Sequence, residues 1–167
     1  AFNSSLNIVE IFDRIIDEVL DAIGAEHGFV ISRQRDGELF FHVARGAERQ
    51  ILDHTKLEVS SSVIEQAIDN QEPVLSFDAV SDERFHESAS IVDLKLKSIL
   101  CVPLKCKGRL QGVIYVENRG QEGIFTDREL DLLTAIAANA AVAIDNAQNF
   151  LDLQEQLQRV NLLYEIS

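Results

Sequence analysis

The first 23 residues carry apolar side chains at the 3.6-residue spacing of an amphipathic helix. The apolar positions are Leu6, Ile8, Val9, Phe12, Ile15, Ile16, Val19, Leu20 and Ile23. Gly24 follows them, and glycine commonly ends helices because it adopts the left-handed conformation without strain. The pattern therefore predicts one helix that packs a single face against a core and ends at Gly24.

Two pairs of β-rich segments follow, and a short turn separates the members of each pair. Segments 28–34 and 38–46 flank an Asp-Gly turn, which is the strongest short-range signal for an antiparallel hairpin. Segments 98–106 and 109–118 flank Lys107-Gly108 and are dense in β-branched and apolar residues. We expect this second hairpin to form the centre of a sheet that is covered on both faces.

Between the two hairpins the chain predicts a short helix and a further strand. Ser62 and Glu65 have the spacing of a capping box, which predicts a helix that begins there and ends near Asn70. Segment 72–79, EPVLSFDA, has the composition of a strand. Segment 80–97 is mixed and polar, and we expect no more than one or two helical turns in it.

From Thr126 onward, about forty residues contain neither glycine nor proline, and as one helix they would extend for about 60 Å. Up to Leu151 the apolar residues cover a broad arc, which is typical of a helix packed on a sheet. Beyond it they narrow to a stripe spaced four, three and four residues apart, formed by Leu153, Leu157, Val160 and Tyr164. We expect a folded domain over 1–150, a coiled-coil-like linker over 151–167, and a homodimer that pairs along the stripe.

Composition and charge restrict the possible partners. A content of 46% apolar residues indicates a globular domain, and a net charge of −13 argues against binding to nucleic acid or to anionic lipid. The longest apolar run is too short to span a membrane, and no secretory signal is present. The chain contains no Met, which suggests a piece of a longer polypeptide, and we expect that polypeptide to be cytoplasmic.

The residues that could carry chemistry are few and scattered. Cys101 and Cys106 lie five apart in one predicted strand, so they should point to opposite faces and remain reduced thiols. The four histidines, His27, His42, His54 and His86, lie in four different segments without metal-ligand spacing. No Ser or Cys lies near them in a nucleophilic arrangement. We therefore expect no catalytic residue, no metal and no cofactor.

The order of these elements resembles that of the GAF domain, a sensor and dimerisation module of bacterial signalling proteins. The most specific segments are SILCVPLKCKGRLQGVIYVENR and FTDRELDLLTAIAANAAVAIDNA, and EPVLSFDAVSDERF also matches. The resemblance implies an α+β fold related to PAS domains. In it, the first and last helices lie on one face of a central antiparallel sheet and a ligand pocket lies on the other.

The resemblance also implies a function. A GAF domain binds a small molecule, or only dimerises, and relays a change in helix packing to an effector outside the domain. In similar proteins that effector is a histidine kinase, a nucleotide cyclase or an enhancer-binding transcription activator, and a tandem GAF domain is a further possible neighbour. We therefore expect a non-catalytic regulatory domain of a signalling protein, in a setting such as a two-component system or transcription regulation.

Strand alternation, placed on the resembled fold, selects candidate pocket residues. Ile99 and Cys101 share one face of their strand, and Tyr115 and Glu117 share one face of the next. The resemblance implies that these faces look toward the pocket, and that its other wall and lid contain Phe77, Asp78, Phe85 and Leu94. Because a buried carboxylate is costly unless it is paired, Glu117 should meet a donor from the ligand, water or Arg119.

The stretch ENRGQEGIFTDREL, residues 117–130, has two interpretations. In the cyclic-nucleotide-binding branch of the family, a signature of Asn-Lys, Phe and Asp-Glu occupies this stretch, and here residues 118–119, Phe125 and Glu129 match it incompletely. In the second interpretation, Thr126 caps the long helix, Glu129 reaches back to it, and Phe125 packs on Leu130. The sequence favours the cap, because Leu130 cannot supply the final carboxylate of the signature.

Four further functions occur among domains that resemble this one, and the reductase and the ligandless scaffold stay open as alternatives. A free methionine sulfoxide reductase places catalytic thiols in the segment that corresponds to 81–98, which here contains no cysteine. A domain that holds a bilin needs a Cys-His pair, which this sequence lacks because no His follows Cys101 or Cys106, and one that holds haem needs an axial ligand, for which His86 is the nearest candidate. A dimerisation scaffold without a ligand would need none of these residues.

Overall fold

The structure is a computed structural model that describes residues 7–46, 59–76, 98–119 and 125–166. In chain order the elements are α1 (Ile8–Ile23), β1 (His27–Arg33), β2 (Leu39–Gly46), α2 (Ser61–Asn70), β3 (Val74–Ser76), β4 (Ser98–Cys106), β5 (Arg109–Asn118) and a last helix, here α3 (Asp127–Ile166). Their order and types agree with the sequence prediction.

The five strands form one antiparallel sheet in the order β2-β1-β5-β4-β3. Both predicted hairpins are present. In the second turn, Lys107 and Gly108 have φ angles of 55° and 77°, as a tight turn between twisted strands requires. The central strands β4 and β5 are buried over most of their length, which confirms that this hairpin is covered on both faces.

One face of the sheet is covered by α1 and α3. Ile16 and Val19 of α1, Leu133 of α3 and Leu100 and Ile114 of the sheet lie in one buried cluster. α1 begins after Asn7, whose side chain accepts a hydrogen bond from the Glu10 N–H, and it ends at Gly24 in the left-handed conformation, as predicted.

The other face of the sheet is covered by α2, which buries Val63, Ile64 and Ala67 against it. Cys101 belongs to this face and Cys106 packs on the α1 and α3 face, so the prediction of opposite orientations is confirmed. Both cysteines are free.

The prediction that Ser62 caps α2 is wrong, because the cap is Ser60. The Ser60 side chain accepts from the Val63 N–H at 3.4 Å, and α2 begins at Ser61. The physical reason is a long-range contact, since the Ser60 N–H donates to the Tyr115 hydroxyl at 3.1 Å and so holds Ser60 in an extended conformation. Glu65, the predicted partner in the capping box, pairs with Arg33 instead.

α3 is one helix of 40 residues. Its first half packs on the sheet and buries Leu133, Ala137, Ala141 and Ile144, as the broad apolar arc predicts. Every side chain from 151 to 164 is exposed. By length and composition alone α3 could cross a membrane, a weak criterion that core helices of soluble domains also meet.

Candidate functional site

The structure brings together the four predicted pocket residues that it describes. Ile99, Cys101, Tyr115 and Glu117 all lie on the α2 side of the sheet and are completely buried. Cys101 is paired with Tyr115 and Ile99 with Glu117, so the four form two adjacent rows. The other four predicted positions, Phe77, Asp78, Phe85 and Leu94, lie outside the described residues.

The strand register extends the row of Ile99 and Glu117 in both directions. Ser76 of β3 pairs with Ile99, and His27 of β1 pairs with Glu117. Because neighbouring strands lie about 4.8 Å apart, Ser76 and Glu117 flank Ile99 at a separation of about 10 Å. This row, Ser76-Ile99-Glu117-His27, is called the polar row below.

Tyr115 connects α2 to the polar row. Its hydroxyl accepts a hydrogen bond from the Ser60 N–H at 3.1 Å and donates one to Glu117 Oε2 at 3.0 Å. Its ring lies edge-on to Phe29, with ring centroids 5.8 Å apart. Burial raises the pKa of Tyr115 well above its ordinary value, so the hydroxyl keeps its proton.

Glu117 is the electrostatic centre of the site. Arg119 Nε and Nη2 lie 3.0 and 2.8 Å from Glu117 Oε1, so Arg119 supplies the expected donor. The hydroxyl of Tyr115 is a second donor, which the sequence did not indicate. Burial raises the pKa of Glu117 to about 7, although Arg119 and Tyr115 act in the opposite direction. Near neutral pH, therefore, small environmental changes alter the charge of this carboxyl group.

Two polar atoms of the polar row have no hydrogen-bond partner in the part of the chain that the structure describes. One is the Ser76 hydroxyl, on a residue that is completely buried, and the other is His27 Nδ1. His27 Nδ1 lies 3.8 Å from Glu117 Oε1. Burial, reinforced by the charge of Arg119, lowers the pKa of His27, which favours the neutral ring.

Ser76 and His27 were not predicted as site residues. Neither residue lies in a sequence motif that indicates a polar site, and both are common surface residue types. Only the register of four strands places them in the same row as Glu117. Strand alternation alone could have placed Ser76 on the same face as Val74, but not opposite Ile99.

The start of α3 has the predicted cap. The Thr126 N–H donates to Glu129 Oε2 at 2.8 Å, and the Arg128 N–H donates to Thr126 Oγ1 at 3.3 Å. Phe125 is completely buried, and Leu130 packs against the same core. The hydrogen bond from the Thr126 hydroxyl is the largest cause of a lowered pKa of Glu129.

Metal-binding groups and the buried cysteine were candidate sources of chemistry in the described residues. They contain no group of three His, Cys, Asp or Glu side chains that could hold a metal ion. Burial raises the pKa of the Cys101 thiol far above its ordinary value, so the thiol stays protonated and is a poor nucleophile. His86, the candidate haem ligand, lies outside the described residues.

Comparison with known proteins agrees with this fold. The model of the GAF domain family matches residues 5–145, and the chain therefore belongs to the GAF domain family. Over 93 residues, or 56% of its length, the chain is 30% identical to hybrid signal transduction histidine kinase G of Dictyostelium discoideum. It spans only 3% of that protein.

Solved GAF domains share the fold. The third GAF domain of Slr1393 from Synechocystis, in its photoproduct state, superposes with a TM-score of 0.69 at 19% identity, over 87% of this chain and 98% of that one. The GAF domain of a phosphoenolpyruvate-protein phosphotransferase from Acinetobacter superposes with a TM-score of 0.68 at 19% identity, over 90% of this chain and 89% of that one. The predicted fold is thus confirmed.

Family membership places the chain among modules that generally act as regulatory sensors. GAF domains occur in signalling proteins such as histidine kinases, where they are linked to effector modules. The predicted association with signal transduction is confirmed at this level.

Proposed function

We propose that this chain is a non-catalytic sensor domain that binds a small molecule on the α2 side of its sheet and relays the event through α3. The observation that carries the proposal is the polar row, in which the buried Glu117 carboxyl group shares a row with two polar atoms that have no hydrogen-bond partner among the described residues. Ile99, Cys101, Tyr115 and Glu117 form the floor of the proposed site, and Ser76 and His27 add to its polar points.

The energetics of burial support a ligand role for the polar row. A buried polar group without a hydrogen bond costs about 1–3 kcal/mol, and in the part of the chain that the structure describes the row contains two atoms without a partner. A sheet face designed only for stability would carry apolar side chains at these positions. A ligand with polar groups at matching positions would recover the missing hydrogen bonds.

The chemistry of the site favours one class of ligand. An apolar floor with a few fixed polar groups suits a small, mostly apolar molecule that carries a hydrogen-bond donor or a positive charge. Arg119 is already paired with Glu117, and the chain has a net charge of −13. Anionic phosphates are therefore poor candidates.

The proposed output is the exposed half of α3. Leu153, Leu157, Val160 and Tyr164 are between 46% and 77% exposed in the single chain. We propose that this stripe pairs with the same stripe of a second copy, because coiled-coil spacing buries such a seam. An effector joined to the domain, such as a histidine kinase, would respond to a change in how the two helices pack. The free cysteines support a reducing, cytoplasmic setting.

A thermal-shift screen of small molecules on the whole chain tests the proposal. A true ligand raises the midpoint of unfolding with its concentration, because it binds the folded state only. Ser76→Ala and Glu117→Gln should reduce the shift, whereas Glu38→Gln, an exposed position in the first turn, should leave it unchanged.

Three outcomes would overturn the proposal. A chain that dimerises but responds to no compound in the screen is a scaffold. Tight, specific binding of cyclic AMP or cyclic GMP that Arg119→Ala abolishes would favour the cyclic-nucleotide branch. Turnover of free methionine sulfoxide would make the domain an enzyme.

A further inference from the structure

The tip of the β4–β5 hairpin contacts α3 where that helix leaves the sheet. Gln111 Nε2 donates to the Ala141 carbonyl oxygen at 3.1 Å. Lys107 Nζ and Arg109 Nη2 lie 3.5 and 3.8 Å from the carboxylate of Asp145. These contacts of Lys107, Arg109 and Gln111 with Ala141 and Asp145 are called the tip clamp.

A β-bulge builds the tip clamp. Leu104 pairs with Gly112 and Lys105 pairs with Leu110, so Gln111 is an extra residue without a partner in this ladder. The side chain of a bulged residue departs from the regular alternation of the strand, and here the Gln111 side chain points to the main chain of α3. Gly112 permits the local approach to β1, because a Cβ atom there would lie 2.5 Å from the carbonyl oxygen of Ile31.

The tip clamp is a poor device for stability alone. Gln111 Oε1 is buried without a hydrogen-bond partner among the described residues, which is unfavourable. Lys107 and Arg109 are 79% and 66% exposed, so their ion pairs add little to the free energy of unfolding. Three side chains from one turn nevertheless fix two positions, Ala141 and Asp145, on consecutive turns of α3.

The tip clamp lies at the point where α3 leaves the sheet. The strand from Arg109 to Glu117 extends for about 27 Å. The helix from Asp127 to Asp145 extends for about 27 Å as well. α3 therefore runs back along the hairpin on the face opposite the polar row, and the tip clamp lies at the point of exit. Beyond residue 150 every described side chain is exposed.

We propose that the tip clamp sets the direction and rotation of α3 as it leaves the domain, and so couples the β4–β5 hairpin to the exposed half of the helix. The coupling is a structural property of the chain. Its role as the output of a sensor rests on the function proposed above.

Amide hydrogen exchange on the whole chain, without any ligand, tests the clamp. Asp145→Asn and Gln111→Met should each accelerate exchange over residues 141–150 by about three- to tenfold, because local opening there becomes easier. Asp131→Asn removes the same charge from an exposed site on the same helix, away from the hairpin tip, and should not change exchange in this segment.

A double-mutant cycle separates the clamp from general effects on the helix. If Asp145 acts through the hairpin tip, adding Lys107→Gln and Arg109→Gln to Asp145→Asn should cause no further acceleration. Fully additive effects, unchanged exchange in both single variants, or an equal effect of Asp131→Asn would each overturn the proposal.

The experiment distinguishes failure of the clamp from failure of the sensor. If the variants loosen 141–150 but the compound screen finds no ligand, the clamp stands and the sensor function falls. If a ligand binds but the variants exchange like the wild type, the clamp falls alone. If a ligand changes exchange over 151–164, the clamp variants should abolish that change without altering the affinity.

Discussion

Replacing Tyr115 by phenylalanine removes one oxygen atom and tests the central link of the site. That oxygen accepts from the Ser60 N–H at 3.1 Å and donates to Glu117 at 3.0 Å, and the residue is completely buried. Its loss leaves a buried N–H and a buried carboxyl group each short of one partner. Because each of the two unmet groups costs about 1–3 kcal/mol, we expect the free energy of unfolding to fall by about 2–6 kcal/mol.

Urea unfolding at 25 °C and equal protein concentrations measures this loss. The chain has only two tyrosines, so Tyr164→Phe is a matched control. Tyr164 is 77% exposed in the single chain, and phenylalanine keeps the apolar ring that the proposed seam uses, so its substitution should change the free energy of unfolding by less than about 0.5 kcal/mol. A loss below about 0.5 kcal/mol for Tyr115→Phe would refute the reasoning, because the hydroxyl would then not be holding α2 and Glu117 together.

Three further predictions concern other parts of the chain. The folded chain holds the Glu117 proton up to a pKa of about 7, compared with an ordinary value of 4.5, so this group makes the free energy of unfolding fall as pH rises between these values. This fall in the free energy of unfolding amounts to at most about 3 kcal/mol. Urea titrations at several pH values should show it in the wild type and not in Glu117→Gln. The opposite contribution of His27 remains in both proteins. Thr126→Ala should lower the free energy of unfolding by about 1 kcal/mol, as the loss of a helix cap does, whereas Thr134→Ala, inside the same helix, should not lower it. Leu157→Asp should convert a dimer to a monomer in light scattering, whereas Gln158→Asp should leave the dimer intact. A wild-type chain that is monomeric at high concentration would contradict the proposed seam.

The elements of the fold are predicted by patterns among residues that are close in the sequence. The apolar spacing of α1, the left-handed end at Gly24 and the two short hairpin turns each depend on a few neighbouring residues. The broad and narrow apolar arcs of α3 likewise record where the helix is covered and where it is exposed. These features are predictable because local conformational preference and hydrophobic burial favour the same structure.

The site depends on contacts between distant residues, and prediction from the sequence was less complete there. Alternation grouped Tyr115 with Glu117, and the family resemblance implied which face of the sheet they share. The cost of a buried charge indicated a donor for Glu117, with Arg119 as one of three possible sources. The cap at Ser60 was missed because it depends on Tyr115, which is 55 positions away. His27 and Ser76 were missed because strand register is set by the whole sheet.

The uninterrupted course of α3 makes the helix a lever. From Asp145, where the hairpin tip holds it, to Ile166 the helix rises about 32 Å. A tilt of about 5° at the point of exit would therefore move the far end sideways by about 3 Å, which is close to twice the rise per residue. Motions too small to break the packing of the sheet thus become large enough to change how two such helices meet.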